Sequence, residues 1–142
     1  MKKLVIIPVL LILASCGSSS GTKTATKPLY EVLTQQSTGG ASIRFYEILT
    51  EQKEIRMLLG DDNLRKKIGP GDITSANFII LNMGEKPSAG YSITVDEVVE
   101  TSDKIIVTVK EKEPSSDSMS ASVMTNPYTI VKINSKKPIE IK

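Results

Sequence analysis

Phe78-Ile79-Ile80-Leu81 is an unbroken run of large apolar side chains, of the kind expected from a central strand buried on both faces. A run of four is too short for periodicity alone to separate strand from helix, but the chain beyond it is β in character. Tyr91, Ile93 and Val95 alternate with Ser92, Thr94 and Asp96, and Ile105, Val107 and Val109 alternate with Ile106, Thr108 and Lys110. That period of two marks half-buried strands. Glu100-Thr101-Ser102-Asp103 suits a hairpin loop between them. Val98 and Val99 break the alternation and predict a bulge near Asp96 or Glu97. Pro114 to Ser122 is Ser-rich and reads as a mobile segment, and Pro127 to Ile133 reads as a last strand.

The first half is less regular. Leu29 to Gln36 and Phe45 to Gln52 are near copies 16 residues apart, separated by the turn signal Ser37-Thr38-Gly39-Gly40. They are either a hairpin-like pair of strands, with equivalent side chains at Tyr30 and Tyr46, or a chance likeness in a short window. After Thr50 the spacing of Ile55, Leu58 and Leu59 is helical, with acidic Glu51 at the start and Gly60 where a helix stops. A short helix is predicted from about Glu51 to Leu59. Asp61 to Gly71 is polar, ends in Gly69-Pro70-Gly71 and reads as an exposed loop. Together these segments predict an α+β domain over residues 29–142, mainly antiparallel β-sheet with one short helix packed on it.

What precedes that domain has a different composition. Met1-Lys2-Lys3 is followed by an apolar run from Leu4 to Ala14, broken only by Pro8, and then by Ser15-Cys16-Gly17. This is the charged, apolar and small-residue order of an export signal. The apolar run falls well short of the ~20 residues a membrane-spanning helix needs. Leu13-Ala14-Ser15-Cys16 resembles the lipobox of bacterial lipoproteins, and this resemblance implies that residues 1–15 are cleaved and that the Cys16 thiol accepts diacylglycerol. Two or three acyl chains give stable attachment to a bilayer where one is marginal. Residues 17 to 28 carry no hydrophobic side chain larger than alanine. With Cys16 they read as a flexible tether, with a reach of roughly 20 Å as a random coil. The implied location is the cell envelope, outside the cytoplasm. In a Gram-negative cell, Gly17, which is not the aspartate associated with inner-membrane retention, points to the outer membrane.

Charge narrows the partners. Of 18 basic and 16 acidic side chains, two lysines lie in the signal, so what remains after cleavage balances at 16 each. A neutral domain offers no electrostatic case for nucleic acid. The chain has no histidine and a single cysteine, which excludes Cys/His and Ser/His catalysis and Cys/His metal sites. No Ser-x-x-Lys occurs, Ser88 lacks the glycine pair of a nucleophile elbow, and no glycine-rich phosphate loop is present. Asp61-Asp62 lacks the ligand spacing of a calcium loop. The reading is a chain that is not an enzyme and uses no cofactor or metal.

The most distinctive stretch is Gly84-Glu85-Lys86-Pro87-Ser88-Ala89-Gly90-Tyr91. Pro87 fixes φ and Gly90 can take positive φ, so backbone chemistry specifies the shape of this connection. It is either a binding loop, with Gly84, Lys86, Pro87, Ser88, Gly90 and Tyr91 as candidate residues, or a plain strand connection with a tyrosine dipping into the core. The order Gly-x-x-Pro-x-x-Gly-Tyr-Ser-Ile, followed by an alternating strand, a linker with Pro114, and Asn126 to Ile133, resembles the C-terminal domain of PrcB-like protease complex subunits. The resemblance covers about residues 78–133 and, more weakly, Tyr46 to Leu59. It implies a non-catalytic accessory role outside the cytoplasm, with an exported subtilisin-like protease or another envelope protein as partner. Family members often carry Thr-Gly-Gly-Tyr where this chain has Ser88-Ala89-Gly90-Tyr91. The loop is also similar to one that chagasin-like inhibitors present to cysteine proteases, although Lys86 stands in place of their asparagine. A structural envelope lipoprotein that pairs through a sheet edge is a third reading.

Overall fold

The computed structural model describes residues 26–142. The expected signal peptide, Cys16 and the expected tether up to residue 25 lie outside the described residues. Among the described residues the elements are β1 (Tyr30–Gln36), β2 (Phe45–Leu49), α1 (Gln52–Met57), a 3₁₀ turn (Leu58–Gly60), α2 (Asp62–Arg65), α3 (Asp72–Ser75), β3 (Asn77–Asn82), β4 (Ser92–Glu100), β5 (Ile105–Lys112), β6 (Tyr128–Ile133) and β7 (Ile139–Ile141).

The strands form two sheets, one in the order β1-β6-β3-β2 and one in the order β4-β5-β7. Every pairing is antiparallel except that of β5 with β7. The short helices cover one face of the first sheet, and the second sheet covers the other. Phe78 on β3 belongs to the helix-side core with Leu49, Ile55, Leu58, Leu64, Ile68 and Ile130. Ile79 and Leu81 belong to the core between the sheets with Ile93, Val95, Ile105, Val107, Val131 and Ile133. Side chains alternate across a strand, so an unbroken apolar run serves both cores, and Phe78, Ile79 and Leu81 are fully buried.

The mainly antiparallel α+β class holds, and several particulars differ from the sequence expectations. The two near copies are both strands, but they do not pair. β1 and β2 occupy opposite edges of one sheet, each antiparallel to an interior strand, because β6 and β3 carry more apolar surface and take the centre. The single predicted helix is joined by two more. The segment from Asp61 to Gly71 is no exposed loop: it contains α2, with Leu64 and Ile68 buried in the helix-side core. Asp61 itself caps α2, its carboxylate accepting from the amides of Asn63 at 2.7 Å and Leu64 at 3.2 Å. The bulge lies where expected, as the register of β4 against β5 shifts between Val95 and Glu97. β7 was not expected, and it adds a short parallel edge.

The chain enters the domain beside the far end of β6, where Asn134 Nδ2 donates to the Pro28 carbonyl at 2.7 Å. Lys27 Nζ lies 3.5 Å from Asp72, so the last residues of the expected tether already touch the domain.

Candidate functional site

The predicted loop joins the two sheets, leaving β3 at Asn82 and entering β4 at Ser92. Gly84 and Gly90 both take positive φ, at 79° and 96°. A Cβ at Gly84 would stand 2.9 Å from the Arg44 backbone nitrogen, and one at Gly90 would stand 2.7 Å from the Pro114 ring. Glycine is therefore required at both by conformation and by close approach.

Two other connections pack against this loop. Segment 37–44 crosses the end of the first sheet to carry the chain from β1 to β2, and segment 113–127 carries it from β5 back to β6. Lys86 and Thr125 exchange backbone hydrogen bonds at 2.8 and 2.9 Å, the Ala89 amide donates to the Ala121 carbonyl at 3.0 Å, and the Glu85 amide donates to the Ser42 carbonyl at 3.0 Å. Thr125 Oγ1 donates to the Ser88 carbonyl at 2.8 Å. The buried side chain of Asn82 completes the assembly. Its Nδ2 donates to the carbonyls of Ala41 and Ile43, and its Oδ1 accepts from the Ala41 amide at 3.0 Å. Gly40 approaches so closely that a Cβ there would fall 2.3 Å from that oxygen.

The structure thus brings the six candidate residues together on one fixed turn. Pro87 is exposed at its tip. The Lys86 ammonium lies 5.5 Å from the centroid of the Tyr91 ring, within reach of a cation–π attraction. Tyr91 packs half-buried against the core between the sheets, so it anchors the loop as well as facing Lys86. Ser88 Oγ donates to the neighbouring Ala89 carbonyl at 3.0 Å, a partner that cannot act as a base toward it. Among the described residues, no three His, Cys, Asp or Glu side chains gather as a metal site. What the turn presents is the Lys86 ammonium beside the Tyr91 ring and the exposed Pro87.

Sequence reasoning missed the surroundings of this turn. Val123 and Met124, beside Thr125, are both more than half exposed, as is Ile43 on the facing segment. Their apolar character was visible in the sequence, but their nearness to Lys86 depends on pairings between residues about 40 positions apart. A polar clasp sits at the same end of the sheets. Tyr46 OH donates to Glu111 at 2.9 Å and accepts from Arg44 at 2.8 Å, joining β2 to β5. Burial and the Glu111 carboxylate hold the Tyr46 phenol above its ordinary pKa against the opposing pull of Arg44.

No described helix is long and apolar enough to cross a membrane. In comparison with known proteins, residues 77–134 match the family described as PrcB C-terminal. A 64-residue stretch is 36% identical to an uncharacterized protein of Methanocaldococcus jannaschii, covering 45% of this chain and 38% of that protein. The chain therefore matches well under half the length of that relative. No solved structure matches the chain. The family match runs from β3 through the candidate turn, β4 and β5 to β6, and so takes in both central strands of the first sheet. Residues 77–134, and the turn they contain, are thus similar to the PrcB C-terminal family.

Proposed function

We propose that this chain is a lipid-anchored accessory protein of the cell envelope, whose PrcB-like domain binds and stabilises an exported protease or another envelope protein. The observation that carries this reading is the family match across a turn that is fixed by backbone hydrogen bonds and offers no activated nucleophile. The attachment is through acylated Cys16, and the lipobox Leu13-Ala14-Ser15-Cys16 supports it.

The direction of the chain is consistent with that role. It enters beside Asn134 at one end of β1 and β6, whereas the turn lies beyond the other end of these strands. With a rise of about 3.3 Å per residue, β1 separates the two ends by roughly 20 Å. A domain tethered at the first end presents the turn outward.

The test is capture of cross-linked partners from membranes by the wild type and by the Lys86→Ala/Ser88→Ala variant. Both side chains are removed while the backbone bridge to Thr125 is kept, so the fold should persist. Loss of a specific envelope partner is the expected result, and identical partner sets would remove the turn from the account. Stoichiometric inhibition of a papain-like protease by the purified chain would replace the accessory reading with an inhibitor.

A further inference from the structure

Sheet edges expose unpaired backbone groups, and proteins normally blunt them. Among the described residues, three of the four sheet edges are blunted. β1 has a bulge at Leu33, whose carbonyl accepts from Lys67 Nζ. β4 is bulged at Asp96, which pairs with Lys110. β7 is three residues long, and its central Glu140 is held by Lys104 and Lys142. β2 differs. Its register with β3 is continuous from Phe45 to Leu49, and among the described residues no other strand pairs with its outer side.

The helix-side face of this edge is apolar and partly uncovered. Phe45 is 37% exposed and Met57 on α1 is 76% exposed. Ile80, although on a central strand, is only half-buried. Against Met57 and Ile80 lies a cleft of about 240 Å³, lined also by Glu47, Leu49, Glu54 and Leu58. The polar groups of this cleft are two carboxylates.

We propose that the β2 edge and this cleft receive an extended segment of another protein by strand addition. That segment carries Lys or Arg opposite Glu47 and apolar side chains two positions to either side, one of which enters the cleft. The inference rests on the reading of the chain as a binding subunit and names a second surface and its ligand chemistry. Charge selects this occupant over a second copy of the chain. An antiparallel pairing of two β2 strands centred on their middle residue sets Glu47 against its own counterpart, and like charges directly opposite destabilise a pair. A basic side chain there is attracted instead, and alternate side chains supply specificity in strand addition.

The probes are two labelled heptapeptides, Thr-Leu-Thr-Lys-Thr-Leu-Thr and the same peptide with Glu in place of Lys, with binding to the full-length chain in detergent followed by fluorescence anisotropy. The lysine peptide should bind roughly fivefold more tightly, as expected from one cross-strand attraction exchanged for one repulsion. Glu47→Lys should invert that preference, Glu47→Gln should erase it, and backbone N-methylation of the lysine peptide should abolish binding. Equal binding of the two peptides, absence of binding, or a preference unchanged by Glu47→Gln would overturn the inference, as would dimerisation of the wild type lost on Glu47→Lys. If the peptide preference fails while the Lys86/Ser88 variant still loses its envelope partner, only the β2 assignment falls. If the preference holds while that variant keeps all partners, the turn falls and the edge stands.

Discussion

Lys132 points from a central strand into the helix side of the sheet with its side chain 8% exposed, and it lies 3.0 Å from Glu31 and 3.4 Å from Asp72. Burial opposes its charge, but the hydrogen bond and charge of Glu31 and the charge of Asp72 outweigh that and hold its pKa above the ordinary lysine value. Asp72 is equally buried. Burial pushes it up, while the Gly69 amide at 2.8 Å and the charges of Lys132 and Lys27 pull it further down, to a net position below the usual carboxylate range. Asp72→Asn should cost roughly 2 kcal/mol at pH 7, since Lys132 keeps Glu31 as a partner. Because the folded value is depressed, this stabilisation is present above the unfolded aspartate value of about 3.9 and is lost as pH falls through the folded one. Urea unfolding at pH 7, 5 and 3 should show the gap between wild type and variant closing at the acid end. A constant gap would mean that Asp72 acts through shape and not charge.

Among the elements, those with strong local patterning were legible. The alternation in β4 and β5, the bulge that interrupts it, and the unbroken run of β3 all follow from which faces must be buried. The first helix was legible from its apolar spacing and acidic start, and Glu54 accepts from the amides of Thr50 and Glu51 as a reciprocal cap. α2 was not, although Leu64 and Ile68 lie four apart, because two apolar residues in a polar stretch carry little weight before a sheet is present to bury them. Its cap can be tested. Asp61→Ala should lower stability by about 1 kcal/mol, whereas Asp62→Ala, which removes only an exposed pair with Arg65, should shift it by a few tenths. Denaturant midpoints for the two variants decide the matter, and equal effects would deny the capping role.

At the scale of the whole molecule, the proposed anchor predicts that Cys16→Ser abolishes metabolic labelling by a fatty acid and moves the chain from the membrane to the soluble fraction; retention on the membrane would sink the anchor. An export signal and a lipobox are strings of adjacent residues that enzymes read in an extended chain, so sequence alone carries that proposal. Sequence likewise determined the β character, the glycine and proline chemistry of the turn at 84–91, and the family resemblance, because each depends on residues close together in the chain. Tertiary structure decided the rest. The near copies at Tyr30 and Tyr46 were separated to opposite edges because the most apolar strands claimed the centre of the sheet. The turn was fixed by Ser42, Ala121 and Thr125, which no local pattern links to it. The β2 edge was left open because, among the described residues, no other strand pairs with its outer side. Edges, clefts and neighbouring loops are properties of packing, and they arise only when distant segments compete for the same core.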